Sequence, residues 1–194
     1  MTYDRKLADR FWHALWGKSE TDKKKLDESL QYAALTNKLW RAEFLLTEKT
    51  ADPNTGDGFC VRWAAEGGHS EMIRLLARHG ADMNAKNGEA LIRAARHGHV
   101  ATAKTLLENG ADASKQNFAA LRIADACNDA AFVRTLLNCG QDFTAVAQEL
   151  MDTAGGLGQF DKAGLYKQYL DAKARPSAAA VFKPPGTGAK PSKP

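Results

Sequence analysis

Apolar residues run along this chain in short blocks at helical spacing, and the blocks themselves return every thirty residues. Each block ends in a leucine pair: Leu45-Leu46, Leu75-Leu76, Leu106-Leu107 and Leu136-Leu137, with one residue of slippage after the second. Gly80, Gly110 and Gly140 follow at a constant spacing, the first two leading into Ala81-Asp82 and Ala111-Asp112 and the third into the weaker Gln141-Asp142. Ahead of the leucines stand small pairs, Ala64-Ala65, Ala94-Ala95 and then Ala124-Asp125, followed by Gly68-His69, Gly98-His99 and Asn128-Asp129. A repeated unit of two short helices accounts for every landmark. The small pair lets neighbouring inner helices approach closely, and the leucines fill the space between units. Glycine, or Asn128 in its place, sits where the chain needs a positive φ between and after helices.

The same marks extend outward. Leu45-Leu46, Ala51-Asp52 and Asn54 define an earlier unit whose inner helix runs through Leu30, Ala33 and Ala34, with Asn37 in the glycine position. Ala154, Gly158 and the stretch 165–170 define a last unit without the closing Gly-Ala-Asp, which suits a terminal repeat with one solvated face. The pattern therefore predicts an all-α solenoid of about five helix-turn-helix repeats over 22–173, divided near 22–54, 55–84, 85–114, 115–144 and 145–173.

The stretches G-F-C-V-R-W-A-A-E-G-G-H-S-E-M-I-R-L-L-A-R-H-G-A-D-M-N (58–84) and A-L-I-R-A-A-R-H-G-H-V-A-T-A-K-T-L-L-E-N-G-A-D-A (90–113) resemble ankyrin repeats, and the third unit keeps their register. The resemblance covers roughly residues 26–172. It implies a protein-binding module with no enzymatic activity and no cofactor. Two departures stand out: the unit has thirty residues where about 33 are usual, and the T-P-L-H stretch is replaced by Phe59-Cys60-Val61-Arg62 and its equivalents. The missing residues fall where the family builds its β-hairpin fingers, so the fingers are expected to be short or absent.

Outside the repeats, Leu7, Phe11 and Leu15 with Trp12 and Trp16 predict an amphipathic helix within 1–21, read as an N-terminal cap or as a route to self-association. Residues 174–194 hold five of the six prolines and few large apolar side chains, which predicts a disordered tail. That tail also carries Arg175, Lys183, Lys190 and Lys193 without an acid, so it accounts for the whole formal charge of +4 and leaves the repeats neutral. No apolar stretch reaches the roughly 18 residues of a membrane span. Cys60, Cys127 and Cys139 form no C-x-x-C pair and leave an odd thiol, which favours a reducing, cytoplasmic setting.

Candidate chemistry is sparse. Resemblance to the family gives His69 and His99 a structural task, hydrogen bonding to loop backbone; His97 lies nearby, but no Cys or carboxylate completes a metal set. Cys127 lacks a recognisable base, and no catalytic residue is assigned. In the family the inner helices line a concave face that binds partner proteins. Its positions here are Phe59, Arg62, Glu66, Glu89, Arg93, Arg96, His97, Phe118, Arg122 and Cys127, a set rich in the aromatic and arginine side chains that anchor interfaces. The alternative reading is nucleic-acid binding through Arg62, Arg93, Arg96 and Arg122 assisted by the basic tail.

Overall fold

Helix signals separated by glycine or asparagine produce helix pairs, and the computed structural model, which describes residues 23–49 and 51–174, contains five of them. The inner and outer helices are α1 (Lys23–Leu35) with α2 (Leu39–Thr47), α3 (Thr55–Glu66) with α4 (Ser70–Arg78), and α5 (Ala85–Arg96) with α6 (Val100–Glu108). They continue as α7 (Lys115–Ala126) with α8 (Ala130–Leu137), and α9 (Thr144–Gly156) with α10 (Phe160–Ala174). No strand occurs among the described residues. The expected N-terminal helix lies outside them, as does the expected tail apart from Ala174.

Each inner helix packs on its own outer helix, α1, α3 and α5 pack also on the next inner helix, and the outer helices form a second row. Ala33, Ala34, Ala64, Ala65, Ala94 and Ala95 are all buried between inner helices, and Leu46, Leu76, Leu106 and Leu136 are buried between the rows. Full burial of one such leucine is worth about 1.5–3 kcal/mol. The turns within pairs use a single left-handed residue: Asn37, Gly68, Gly98, Asn128 and Gly158 all have positive φ. After α4, Gly80 at φ +80° closes the helix; its N–H donates to the Ala77 carbonyl and that of Ala81 to the Leu76 carbonyl, a Schellman arrangement.

The recurring Asp and Asn acquire separate tasks. Asp52, Asp82, Asp112 and Asp142 each accept, through Oδ1, the backbone N–H two residues on, which locks the loop. Asn54 and Asn84 reach the next repeat instead. Asn84 Nδ2 donates to the Gly110 carbonyl at 2.9 Å and its Oδ1 accepts from Asp112 N at 2.7 Å, as Asn54 does with Gly80 and Asp82. Ser114 stands where the next asparagine would be and cannot span the gap. Gln141 reaches back in its place, to Ala113 N and the Ala111 carbonyl.

Fingers are expected to be short or absent; among the described residues no strand forms them, and what stands in their place is specific. Gly56-Asp57-Gly58, Lys86-Asn87-Gly88 and Gln116-Asn117-Phe118 are three successive left-handed residues each, so every central inner helix begins with a left-handed turn. Such turns cost non-glycine residues energy, so the two that lack a second glycine depend on contacts to hold them. Gly58 also has no room for a side chain, since a Cβ there would lie 2.3 Å from Ala85 Cβ.

At the last junction the small pair becomes Ala124-Asp125 and the packing changes. Tyr166, almost fully buried, donates to Asp125 Oδ1 at 2.8 Å, and Lys162 Nζ donates to the Asp125 carbonyl at 2.7 Å. Burial and the Asp125 carboxylate both push the Tyr166 phenol far up, so it stays a neutral donor. Tyr169 Oη accepts the Phe143 N–H at 2.9 Å, finishing a loop that no asparagine spans.

Candidate functional site

The ten sequence-derived positions all belong to α3, α5 and α7 or to the residues that cap them. The structure sorts the ten into three groups.

The first group is a charged ladder across α3 and α5. Arg62, only 8% exposed, donates to the carbonyls of Gly56 and Asp57 at 3.0 and 3.3 Å and so staples the left-handed turn that precedes its own helix. Its Nη1 also faces Glu89 Oε2 at 3.4 Å. Arg93 donates twice to Glu89 Oε1, at 2.8 and 2.6 Å, and once to Glu66 across the repeat boundary, while its guanidinium lies 5.0 Å from the Trp63 ring centroid. Burial acts to raise the Glu89 carboxyl, but the hydrogen bond and charge of Arg93, with Arg62 and Lys86, outweigh it and hold the group below its ordinary range. Burial opposes the charge on Arg93, and its bonds to Glu89 and Glu66 overcome that, so the guanidinium is held the more firmly protonated. Phe59 adds a ring 5.5 Å from that of Trp63 at one edge. Arginine and glutamate cancel in number here: the ladder is a neutral, rigid strip bordered by two half-buried aromatic rings.

Arg122 repeats this pattern one junction later. Its Nε donates to the Asn117 carbonyl at 3.1 Å, again stapling the preceding left-handed turn, and its two terminal nitrogens pair with both oxygens of Glu149 at 2.8 Å. The Glu149 carboxyl is lowered chiefly by that hydrogen bond. Ile92 occupies the equivalent place in the middle repeat, so the Lys86–Gly88 turn has no such staple; Gln116 Nε2 donates to the Asn87 carbonyl at 3.2 Å instead.

Phe118 forms the second group alone. It takes φ +57°, and its ring turns toward the terminal core, 5.4 Å from Phe143. The third group, Arg96, His97 and Cys127, is exposed at the C-terminal ends of α5 and α7. The His97 ring stacks on that of His99 at 6.0 Å, and His99 Nε2 bonds the Glu66 carbonyl at 2.9 Å, the loop-holding contact expected of it. His69 makes no equivalent bond; its ring lies against Gly67, where a Cβ would come within 2.5 Å of Nε2. Cys127, the C-cap of α7, is exposed, and Cys60 is fully buried.

Two features of this face escaped the residue-type reading. Trp63 is not among the ten positions, although it stands at the Arg93 position one repeat earlier. The ladder itself was visible as an arginine–glutamate spacing of 27 residues, shared by Arg62 with Glu89, Glu66 with Arg93 and Arg122 with Glu149.

Three of the four arginines named for phosphate contacts therefore already hold carboxylates, which removes most of the positive field that nucleic-acid binding needs. Among the described residues no three of His, Cys, Asp or Glu cluster as metal ligands, and no helix is long and apolar enough to cross a membrane.

Compared with known families, the chain matches the model described as ankyrin repeats in three copies, over residues 30–117 and 61–147. A search among curated proteins finds no significant match. Ankyrin repeats are in general protein–protein interaction modules and typically not enzymes. Paired helices at a thirty-residue period, small inner faces, leucine-filled outer faces and this family match agree: the chain belongs to the ankyrin repeat family.

Proposed function

We propose that the inner-helix face of α3, α5 and α7 binds a partner protein, and that binding is the molecule's activity, as an inhibitor, an immunity or counter-defence protein, or a bacterial effector. The observation that carries this reading is the self-paired ladder of Glu66, Arg93, Glu89 and Arg62 beside Phe59 and Trp63. It fixes long side chains before any partner arrives, so association loses little side-chain freedom. Half-buried aromatic rings next to rigid, internally neutralised charge offer contact area without a large desolvation cost. Arg96 and His97 sit at the rim of the same face and are the residues with reach into solvent.

The test is affinity capture from host extract with the full chain and with the Arg96→Glu, His97→Ala variant, followed by binding of the purified captured protein to each. Both residues are exposed, so the variant keeps its helical circular dichroism. The proposal expects one protein that binds the wild type and binds the variant at least about tenfold more weakly, a loss of about 1.4 kcal/mol. Equal binding by both chains, or capture of nucleic acid with a steep salt dependence, overturns it.

A further inference from the structure

The row of inner helices is interrupted at its last junction. α1, α3 and α5 each pack on the next inner helix, but among the described residues no such packing joins α7 to α9, and α10 touches α8 only lightly. At the other end of the described stack α1 packs on α3 and α2 on α4, so both rows hold there. A stack of repeats is held by its nearest-neighbour interfaces, and the end unit with the weaker interface opens first. α9 and α10 meanwhile pack on each other more extensively than any other two helices among the described residues. They are firmly joined to one another and loosely joined to the stack.

Long polar side chains cross the gap. Asp125 stands where Ala65 and Ala95 lie buried between inner helices. Its Oδ1 accepts the Tyr166 hydroxyl at 2.8 Å and lies 3.6 Å from Lys162 Nζ, which also donates to the Asp125 carbonyl. Arg122 on α7 meets Glu149 on α9 through two bonds of 2.8 Å. The Phe118 ring, 5.4 Å from that of Phe143, adds an apolar contact. A carboxylate, an ammonium and a guanidinium recover their hydration when they part, so such pairs contribute little net free energy to closure. The alanine and leucine faces of the earlier junctions have no such compensation on exposure to water. Gln141, bonded to Ala113 N and the Ala111 carbonyl, ties the loop before α9 to the stack and places the hinge after it.

We propose that α9 and α10 form a hinged terminal unit that swings away from α7 and α8 as one body while α1 to α8 stay folded, with Asp125 and Tyr166 as its latch. Opening carries Glu149 away from Arg122. The last rung of the inner-helix face then changes from neutral to positive, so the hinge sets two charge states of that face.

Amide hydrogen exchange of the full chain, read by peptide mass in urea below the unfolding transition, tests the hinge. Peptides of α9 and α10 are expected to exchange together, with protection at least about tenfold lower than that of α3 to α6. Tyr166→Phe keeps the ring and removes the hydroxyl; it should speed exchange of α9 and α10 by about five- to tenfold and leave α3 to α6 unchanged. Adding Asp125→Ala restores the small residue of the earlier junctions and removes the carboxylate left without its partner. The double variant should therefore exchange more slowly in α9 and α10 than Tyr166→Phe alone, which loss of packing by itself would not produce. Equal protection of α9–α10 and α3–α6, or an acceleration by Tyr166→Phe spread over all helices, overturns the hinged unit. No effect of Tyr166→Phe, or a double variant that exchanges as fast as the single one, overturns the latch.

Discussion

Replacing Arg93 by methionine isolates the charged ladder, because the apolar stem survives over Trp63 and only the guanidinium is lost. In the structure that guanidinium makes two bonds to Glu89 and one to Glu66 and faces the Trp63 ring, with the side chain 19% exposed. A charge-assisted bond is worth about 1.5–3 kcal/mol when desolvated. Glu66 and Glu89 keep contact with water, so the lower end of that range applies to the set and the ring contact adds about 0.5–1 kcal/mol. The expected loss is about 2–3 kcal/mol, read by urea denaturation followed by circular dichroism. A double-mutant cycle with Glu66→Gln should return about 1 kcal/mol of coupling across the repeat boundary. The pH dependence follows from Glu89. Its folded pKa is depressed below the ordinary 4.5, so the stabilisation is complete above that value and is lost as pH falls through the folded value. The cost of Arg93→Met should therefore be largest at neutral pH and shrink below about pH 4.5. Coupling under about 0.3 kcal/mol, or an equal cost at acid and neutral pH, would refute the ladder as a structural element.

Asn84→Ala removes two backbone-directed bonds between repeats and should cost about 2 kcal/mol, with a lower urea m-value if the repeats uncouple, whereas Ser114→Ala at the equivalent position should cost about 0.5 kcal/mol or less. Gly58→Val places a branched side chain at φ +70° and against Ala85; thermal unfolding should show a loss of about 3 kcal/mol or more. With a thiol reagent at pH 8, Cys127 should react at once. Cys60 should react only after unfolding, because burial, helped by the nearby charge of Asp27, pushes its thiol up to about 12.

The helix pairs could be read from the chain because each landmark answers a local demand: a left-handed residue at Gly68 or Asn128, a small face at Ala94-Ala95, a large one at Leu106. The loss of the fingers was equally readable as a count of missing residues. Their replacement was not, since nothing in Lys86-Asn87 or Gln116-Asn117-Phe118 favours three left-handed residues in succession. Tertiary contacts impose that conformation, among them the Arg122 staple on the Asn117 carbonyl. Residue type picked out positions on α3, α5 and α7 but did not separate their roles. Arginine is as suited to holding a neighbouring glutamate as to meeting a partner, and only the 27-residue spacing, seen with coordinates in hand, shows that Arg62, Arg93 and Arg122 do the former. The exposed side chains of the set that hold no carboxylate, Arg96, His97 and Cys127, follow by subtraction.

The most direct measurement is a hydroxyl-radical footprint of the chain alone and with its captured partner. The account predicts that Phe59, Trp63, His97 and Cys127 on the inner-helix face lose reactivity on binding while His79, at the end of outer helix α4, keeps it. Protection of His79 with no change at Trp63 and His97 would place the partner on the outer row and contradict it.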